Sequence, residues 1–190
     1  MTRAELKSMA KEQMHSKLGM LIVIILLIGV VTFAISLIPV LGAIIAFIIT
    51  PAFSLSLCMV YLRVAKKEEI QISDAFKGLN KTGRALWLNI LIGLFTFLWS
   101  LLLVIPGIIK SYSYSMAYYV LADNPELTAR QALARSKKIM KGHKFEFFVL
   151  QLSFFWWYLL VGITCGIAAL YVAPYMSTTV TNFYNSIKEG

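Results

Sequence analysis

The feature that most constrains this chain is a series of long apolar stretches that contain almost no charged side chain. The first, residues 18–38, runs for 21 residues without a charge. An α-helix of that length rises about 30 Å, the thickness of the hydrocarbon core of a bilayer. Similar stretches occupy residues 40–62, 85–105 and 145–161, and another follows Gly162. Hydrophobic residues make up 59% of the chain and charged residues 14%, against about 45–50% and 25% in soluble domains. The sequence therefore predicts an all-α integral membrane protein.

The basic residues predict how the chain crosses the membrane. The net charge is +9, and sixteen of the eighteen Lys and Arg residues lie in three segments, 1–17, 63–84 and 128–144. Lys and Arg concentrate in the cytoplasmic loops of membrane proteins, so the basic excess is a topology signal and no nucleic-acid partner is expected. A crossing at residues 108–122 would bring all three segments to one side. We therefore predict a multi-pass transmembrane bundle of about six spans in three hairpins, in the cell membrane, with both termini cytoplasmic.

The fourth crossing is the least regular of the six. Residues 108–122 are short for a span and follow Pro106-Gly107, a sequence that breaks or kinks helices. Two interpretations stay open from the sequence: a full span, or a kinked continuation of the preceding helix.

Each hairpin is preceded by a polar segment, which indicates a weak internal repeat. Thr2 with Glu5 and Thr128 with Gln131 fit the capping-box pattern, in which each side chain satisfies a backbone donor at a helix start. Ser73 would open the middle copy without that partner. The chain is expected to form one membrane domain, 1–190, with units 1–62, 73–122 and 128–187.

The polar segments are predicted to be basic amphipathic helices in the plane of the membrane interface. Their apolar faces would point into the bilayer and their cations towards anionic phospholipid headgroups. The residues on these faces are Leu6, Met9, Ala10, Gln13 and Met14 in the first segment, and Ala132, Leu133, Ser136, Ile139 and Met140 in the third.

The reactive side chains form no recognisable catalytic or metal-binding pattern. None of the carboxylates lies in residues 13–67, 75–122 or 147–188. The two histidines and two cysteines are far apart, whereas a zinc site needs three or four ligands at workable spacing. No catalytic residue, metal or cofactor is therefore expected. An enzyme acting on lipid would need Asp123, Glu126 or Glu146 as its base, but Asp-Asn-Pro-Glu is more typical of a turn and a helix start.

One ligand site is suggested by Lys110, which lies outside the three basic segments. On a helix, Lys110, Tyr114 and Tyr118 share a face, and Ser111 and Ser115 form a polar stripe beside it. Lys110 either extends to the outer headgroups or points into the bundle with its ammonium over a tyrosine ring. The second arrangement predicts an anionic ligand or a lipid phosphate as its partner.

The sequence also resembles a known family. The run LLLVIPGIIKSYSYSMAYYVLADNPELTARQALARSKKIMKGHKFEFFVLQLSFFWW is similar to the signature of a bacterial integral membrane family, the domain of unknown function 975. The near-terminal VAPYMSTTVTNFY and the early ELKSMAKEQM are similar to it as well. The family is distantly similar to the membrane domain of bacterial glycerophosphodiester phosphodiesterases. The resemblance implies a multi-pass bacterial membrane protein and carries over no activity or ligand.

Three functions remain open from the sequence. The favoured one is a non-enzymatic protein that binds the anionic inner leaflet and serves the bilayer, a membrane-protein partner or a second copy of itself. The alternative is a small transporter, channel subunit or immunity-type exporter with a cavity lined by Lys110, Asn89, Ser100 and the tyrosines. The third is an enzyme acting on lipid.

Overall fold

The computed structural model describes residues 2–102 and 104–188, with the side chains of residues 102–106 outside that description. The described part of the chain contains ten α-helices, a 3-10 helix at Ile72–Lys81 and no strand. This confirms the predicted all-α fold class. The α-helices are α1 (Arg3–His15), α2 (Leu18–Ser36), α3 (Leu41–Ala65), α4 (Thr82–Leu102), α5 (Val104–Tyr114), α6 (Ala117–Asp123), α7 (Ala129–Ile139), α8 (Lys144–Leu152), α9 (Phe155–Ile163) and α10 (Ala169–Ile187).

Two helix starts follow directly from the local sequence. Thr2 Oγ1 accepts a hydrogen bond from the Glu5 amide at 3.3 Å, and Glu5 Oε2 accepts one from the Thr2 amide at 2.9 Å. Thr128 and Gln131 make the same reciprocal pair, at 3.3 and 2.8 Å. Both capping boxes are confirmed, so α1 and α7 begin where the sequence predicts.

The middle unit begins differently from the prediction. The 3-10 helix starts at Ile72, and the Asp74 carboxylate accepts a hydrogen bond from the amide of Gln71 at 2.9 Å. The prediction that Ser73 opens this helix is therefore wrong. Asp74 is buried and pairs with Lys77 of the same helix at 2.5 Å and with Arg63 of α3 at 3.2 Å. The contact with Arg63 lies outside the local sequence that was used to predict the helix start.

Four helical segments are long and apolar enough to cross a membrane: Leu18–Ser36, Leu41–Ala65, Ile72–Leu101 and Lys144–Ile163. They correspond to the predicted first, second, third and fifth spans. The segment for the fourth span is divided by a turn at residues 115–116 into α5 and α6. The segment for the sixth is α10, which is rich in Ser, Thr and Asn. The six-span arrangement stays a prediction.

The α5 helix folds back against α4 and does not extend it. The two helices pack closely, and Gly107 lies so near Ser100 that a Cβ at this position would be 2.9 Å from the Ser100 Cα. Glycine permits this approach because it has no side chain. The structure therefore shows a chain that turns back after α4. This excludes a kinked continuation of the preceding helix, one of the two arrangements that the sequence left open.

The α10 helix lies in the core, against α1, α2 and α3. Its aromatic side chains stack on neighbouring helices: Tyr184 on Tyr119 at 5.8 Å between centroids, and Phe183 on Phe147 at 5.3 Å. Four of its polar side chains are also buried: Thr178, Thr179, Thr181 and Asn182. Asn182 donates to Gln13 Oε1 of α1 at 2.9 Å, and the hydroxyls of Thr179 and Thr181 donate to carbonyls of their own helix. These hydrogen bonds offset part of the cost of burying polar groups.

The apolar faces of α1 and α7 are covered by protein and do not point into the bilayer. Leu6, Ala10, Gln13 and Met14 are buried, with α1 packed on α10 and α3; Met9 is half-buried. The whole predicted face of α7 is buried, against α4 and α6. The choice of face was correct, but the expectation that it contacts lipid is wrong, since other helices take up that surface.

Candidate functional site

A groove of about 630 Å³ runs between α4, α5 and α7, and we call it the cationic groove. One wall is apolar and comes from α4: Trp87, Leu91, Leu94, Phe95 and Trp99. The opposite side carries three cations: Lys110 of α5, and Arg130 and Lys137 of α7. Tyr114, Leu133 and Ala134 complete the lining.

The regular spacing of α7 explains how one short helix supplies two of these cations. Arg130, Leu133, Ala134 and Lys137 stand at i, i+3, i+4 and i+7, so they share one helix face. The adjacent face is buried, and the hydroxyl of Ser136 donates to the carbonyl of Ser113 at 2.9 Å. This bond attaches the end of α7 to α5, which brings Lys137 into the groove that contains Lys110.

Lys110 lies in the groove, as the ligand hypothesis requires, but its aromatic partner differs from the prediction. Its ammonium nitrogen is 4.2 Å from the centroid of Trp99, and the side chain is half-buried. The expected tyrosine contact is wrong because α4 lies directly beside α5. A cation this close to an indole face is stabilised by up to about 2 kcal/mol when desolvated.

The other two predicted site residues separate. Tyr114 is buried in the groove, with its ring 6.3 Å from that of Phe95. Tyr118 follows the turn at residues 115–116 and points elsewhere, where its hydroxyl donates to Asn89 Oδ1 at 3.2 Å. The structure therefore brings Lys110 and Tyr114 together and leaves Tyr118 outside the groove.

The predicted serine stripe does not offer hydroxyls to a ligand. The Ser111 hydroxyl donates to the Ile108 carbonyl at 2.7 Å, and that of Ser115 donates to the Tyr112 carbonyl at 2.9 Å. Both groups are satisfied by their own backbone.

The groove has an unbalanced positive charge. No carboxylate in residues 2–102 and 104–188 forms an ion pair with Lys110, Arg130 or Lys137. The two cations on α7, Arg130 and Lys137, have exposed side chains. Three cations beside an aromatic wall form a surface suited to an amphipathic anion.

Two of the three carboxylates that an enzyme would need are engaged in other contacts, and the third, Glu126, is exposed. Asp123 pairs with Lys188 at 3.1 Å and Lys66 at 3.6 Å. Partial burial opposes ionisation of Asp123, but the hydrogen bond from Lys188 and the charges of Lys188 and Lys66 outweigh it and lower the pKa of the carboxyl below its usual range. Glu146 pairs with His143 at 2.9 Å. The described residues contain no group of three or more potential metal ligands.

The residues predicted to line a single transport cavity lie in different parts of the structure. Lys110 and Tyr114 line the cationic groove, whereas Asn89 lines a separate cavity of about 350 Å³ with Thr50 and Ser54. Ser100 lies at the close approach of α4 and α5. The geometry gives this alternative no specific support.

Comparison with known families identifies the chain. The family model described as a protein of unknown function, DUF975, matches residues 1–109 and 101–190. The chain belongs to the DUF975 family. No curated protein and no solved structure matches it. The wider resemblance to the membrane domain of glycerophosphodiester phosphodiesterases stays a prediction.

In this DUF975 protein, the sequence placed only two residues of the groove, Lys110 and Tyr114, in a candidate site. Arg130 and Lys137 were assigned only to a basic segment, and Trp87 and Trp99 were not recognised as part of a site. The i, i+7 spacing of Arg130 and Lys137 could have shown from the sequence that they share one helix face. Their position beside Lys110 could not be predicted, because it depends on how α7 docks on α5.

Proposed function

We propose that this chain is a non-enzymatic, multi-pass protein of the cell membrane that binds an anionic phospholipid. The observation that carries the proposal is the cationic groove, in which Lys110, Arg130 and Lys137 face an apolar wall of α4. A phosphate headgroup would contact the cations, and an acyl chain would lie along Leu94, Phe95 and their neighbours.

Contacts between the basic segments support an arrangement with both termini on the cytoplasmic side. Lys67 of the second segment pairs with Glu12 of the first at 2.8 Å. Arg84 of the second donates to the carbonyl of Pro125, just before the third. These two contacts support an arrangement in which the three segments lie on the same side, as the accumulation of Lys and Arg on the cytoplasmic side predicts.

The energies favour lipid over a soluble anion. Each cation near an anionic membrane surface contributes on the order of 1 kcal/mol, so three contribute substantially but not enough for tight binding of a free anion. An acyl chain already lies in an apolar medium before it binds and gains little hydrophobic transfer energy here. What it adds is contact with an exposed apolar surface that a soluble anion does not cover. The aromatic wall supplies that surface: Trp87 is 46% exposed and Leu94 is 49% exposed.

Lipid co-purification tests the proposal. The full chain, purified in a mild nonionic detergent from membranes that contain phosphatidylglycerol, is expected to retain phosphatidylglycerol in native mass spectra. Lys137→Met should reduce the retained fraction about fivefold, since one near-surface cation is lost.

Lys138→Met is the matched control. Lys138 is exposed on the same helix, one residue from Lys137, and does not line the groove. Equal retention by wild type and both variants would contradict the proposal. Lys188 is a poorer control because its ion pair with Asp123 contributes to the fold.

A further inference from the structure

The α4–α5 hairpin ends in an apolar tip, which we define by the exposed side chains Phe97, Leu98, Leu101, Ile108 and Ile109. A full crossing of the membrane by α4 would bring this tip to the outer surface of the bilayer. The depth that the tip reaches is limited by α7, the basic helix that packs on the other end of the hairpin.

The two helices of the hairpin run antiparallel in a fixed register. Three contacts follow one another away from the tip: Gly107 beside Ser100, the Lys110 ammonium 4.2 Å from the centroid of Trp99, and Tyr114 with its ring centroid 6.3 Å from that of Phe95. Each step away from the tip along α5 is thus matched by a step back along α4. Residue 113 on α5 therefore lies about level with residue 95 on α4.

The α7 helix is attached to the hairpin at this level. The hydroxyl of Ser136 donates to the carbonyl of Ser113 at 2.9 Å, and both residues are buried. Leu133 of α7 lines the same groove as Phe95 and Tyr114. A hydrogen bond between two buried residues and an adjacent apolar contact hold α7 beside this part of the hairpin.

The outer face of α7 excludes it from the hydrocarbon core of the bilayer. Four of its side chains are both basic and exposed: Arg130, Arg135, Lys137 and Lys138. None of them forms an ion pair with a carboxylate in the part of the chain that the structure describes. Unpaired cations are costly in hydrocarbon and face water or headgroups in membrane proteins. We therefore expect α7, and Ser113 with it, to lie at the level of the headgroups.

The length of hairpin beyond this level is too short to cross the bilayer. From Val104, where α5 begins, to Ser113 the helix rises about 14 Å. The hydrocarbon core is about 30 Å thick, so the tip reaches only the middle of the membrane before the chain returns. Snorkelling of the long cationic side chains lets α7 lie slightly deeper, but it does not supply the missing half of the core.

We propose that the α4–α5 hairpin is re-entrant: it enters the cytoplasmic leaflet, turns near the middle of the bilayer and returns to the cytoplasmic side. The partner of its apolar tip is the acyl-chain region of that one leaflet. The hairpin satisfies the charge rule as well as a crossing does, because the basic segments before and after it stay on one side.

This arrangement replaces the predicted third and fourth crossings and brings Lys110 to the cytoplasmic headgroups instead of the outer ones. It rests on the cytoplasmic position proposed for the third basic segment. It does not depend on which lipid occupies the cationic groove.

Quenching by lipids labelled at two depths tests the proposal on the full chain. In a background that lacks Cys58 and Cys165, a fluorescent bimane is attached to Gly93→Cys or to Ile108→Cys. Both positions are exposed and neither lines the cationic groove, and nothing lies within 4 Å of a Cβ added at Gly93. The labelled protein is placed in phosphatidylcholine vesicles that contain a nitroxide either near the headgroup or near the end of the acyl chain.

We expect the deep nitroxide to remove more emission than the shallow one at Ile108→Cys, and less than the shallow one at Gly93→Cys. The reason is that the tip is the deepest point of the hairpin, and Gly93 lies about 10 Å nearer to the headgroups along α4. Lys138→Cys on α7 is the control, and neither nitroxide should quench its label strongly.

A full crossing predicts the opposite order. Gly93 would then lie near the centre of the bilayer and Ile108 beside the outer headgroups, and this result would overturn the proposal. Stronger shallow quenching at both positions would show a hairpin that lies flat in the interface, and stronger deep quenching at both would place α7 inside the membrane. Either result would also refute it. Since these vesicles contain no anionic lipid, such a failure leaves the proposed lipid binding in the groove untouched.

Discussion

Asp123, at the end of α6, connects this helix to the ends of α3 and α10 through its side-chain contacts. Its carboxylate contacts Lys66, which directly follows α3, and Lys188, which directly follows α10. It also accepts a hydrogen bond from the Tyr184 hydroxyl of α10 at 3.2 Å. Removing one partner from a partly buried charge pair leaves the others without compensation, which costs about 1–3 kcal/mol. The contribution of Asp123 should depend on pH because the pKa of its carboxyl is lowered in the fold.

Asp123→Asn should lower the thermal unfolding midpoint in detergent near neutral pH, and the effect should disappear in acid. A carboxyl whose pKa is lowered by folding stabilises the protein above its unfolded pKa of about 3.9, and this contribution is lost as the pH falls through the lower folded value. Unfolding midpoints measured from pH 7 downwards check this. Glu126→Gln, at an exposed position, is the control. A difference between wild type and Asp123→Asn that persists below the folded pKa would contradict the assignment.

At this scale, the sequence predicted relations within one helix and not those between helices. Lys110 and Tyr114 share a face because i and i+4 always do on a continuous helix. Tyr118 does not share this face because the helix ends at Tyr114. The sequence did not predict the turn that follows, since residues 108–118 contain no proline or glycine. The Trp99 partner of Lys110 depends on how α4 packs, which the local sequence does not contain.

Among the elements, the 3-10 helix and α3 approach unusually closely. The Gly78 amide donates to Ser56 Oγ at 2.8 Å, and a Cβ on Gly78 would overlap the carbonyl oxygen of Ala52. Such an overlap is far inside van der Waals contact, and the obstructing atom belongs to a helix backbone that cannot move cheaply. Only glycine fits at this position.

Gly78→Ala should therefore destabilise the protein by about 1–3 kcal/mol, the usual cost of overpacking a tight interior. The thermal unfolding midpoint in detergent measures the effect. Gly93→Ala in α4 is the matched control, since nothing lies within 4 Å of its added methyl group and alanine favours a helix. A Gly78→Ala variant as stable as Gly93→Ala would show that the two elements do not pack as described.

The starts of α1 and α7 were predictable, and the start of the 3-10 helix was not, for one physical reason. Thr2 and Thr128 are capped by residues three positions ahead, so the required partners are visible in the sequence. Asp74 at the middle element is held also by Arg63 of α3 at 3.2 Å. That contact depends on tertiary structure and outweighs the local preference of Ser73.

For the whole molecule, the topology can be tested with two introduced cysteines. Val40 lies in the turn between α2 and α3, and Lys141 follows α7. In a background that lacks Cys58 and Cys165, we expect Val40→Cys and Lys141→Cys to react with an impermeant maleimide from opposite sides of the membrane. Reaction of both from the same side would exclude the proposed arrangement of the basic segments.

The class of fold was accessible from the sequence, whereas the groove was accessible only in part. Apolar stretches such as residues 18–38 predict helices because a bilayer leaves the backbone few other ways to satisfy its hydrogen bonds. The same reasoning assigned the apolar face of α7 to lipid, since amphipathic periodicity does not distinguish a lipid neighbour from a protein one. Docking of that face on α4 and α6 is what turns Arg130 and Lys137 towards Lys110.

Fluorescence from the groove itself tests the central claim, binding of an anionic phospholipid there. Trp156→Phe with Trp157→Phe leaves only Trp87 and Trp99, which both line the groove. In vesicles of phosphatidylcholine, phosphatidylglycerol with brominated acyl chains should quench this emission more strongly than equally brominated phosphatidylcholine. Adding Lys110→Met and Lys137→Met should remove the difference. Equal quenching by the two lipids before those substitutions would contradict the account.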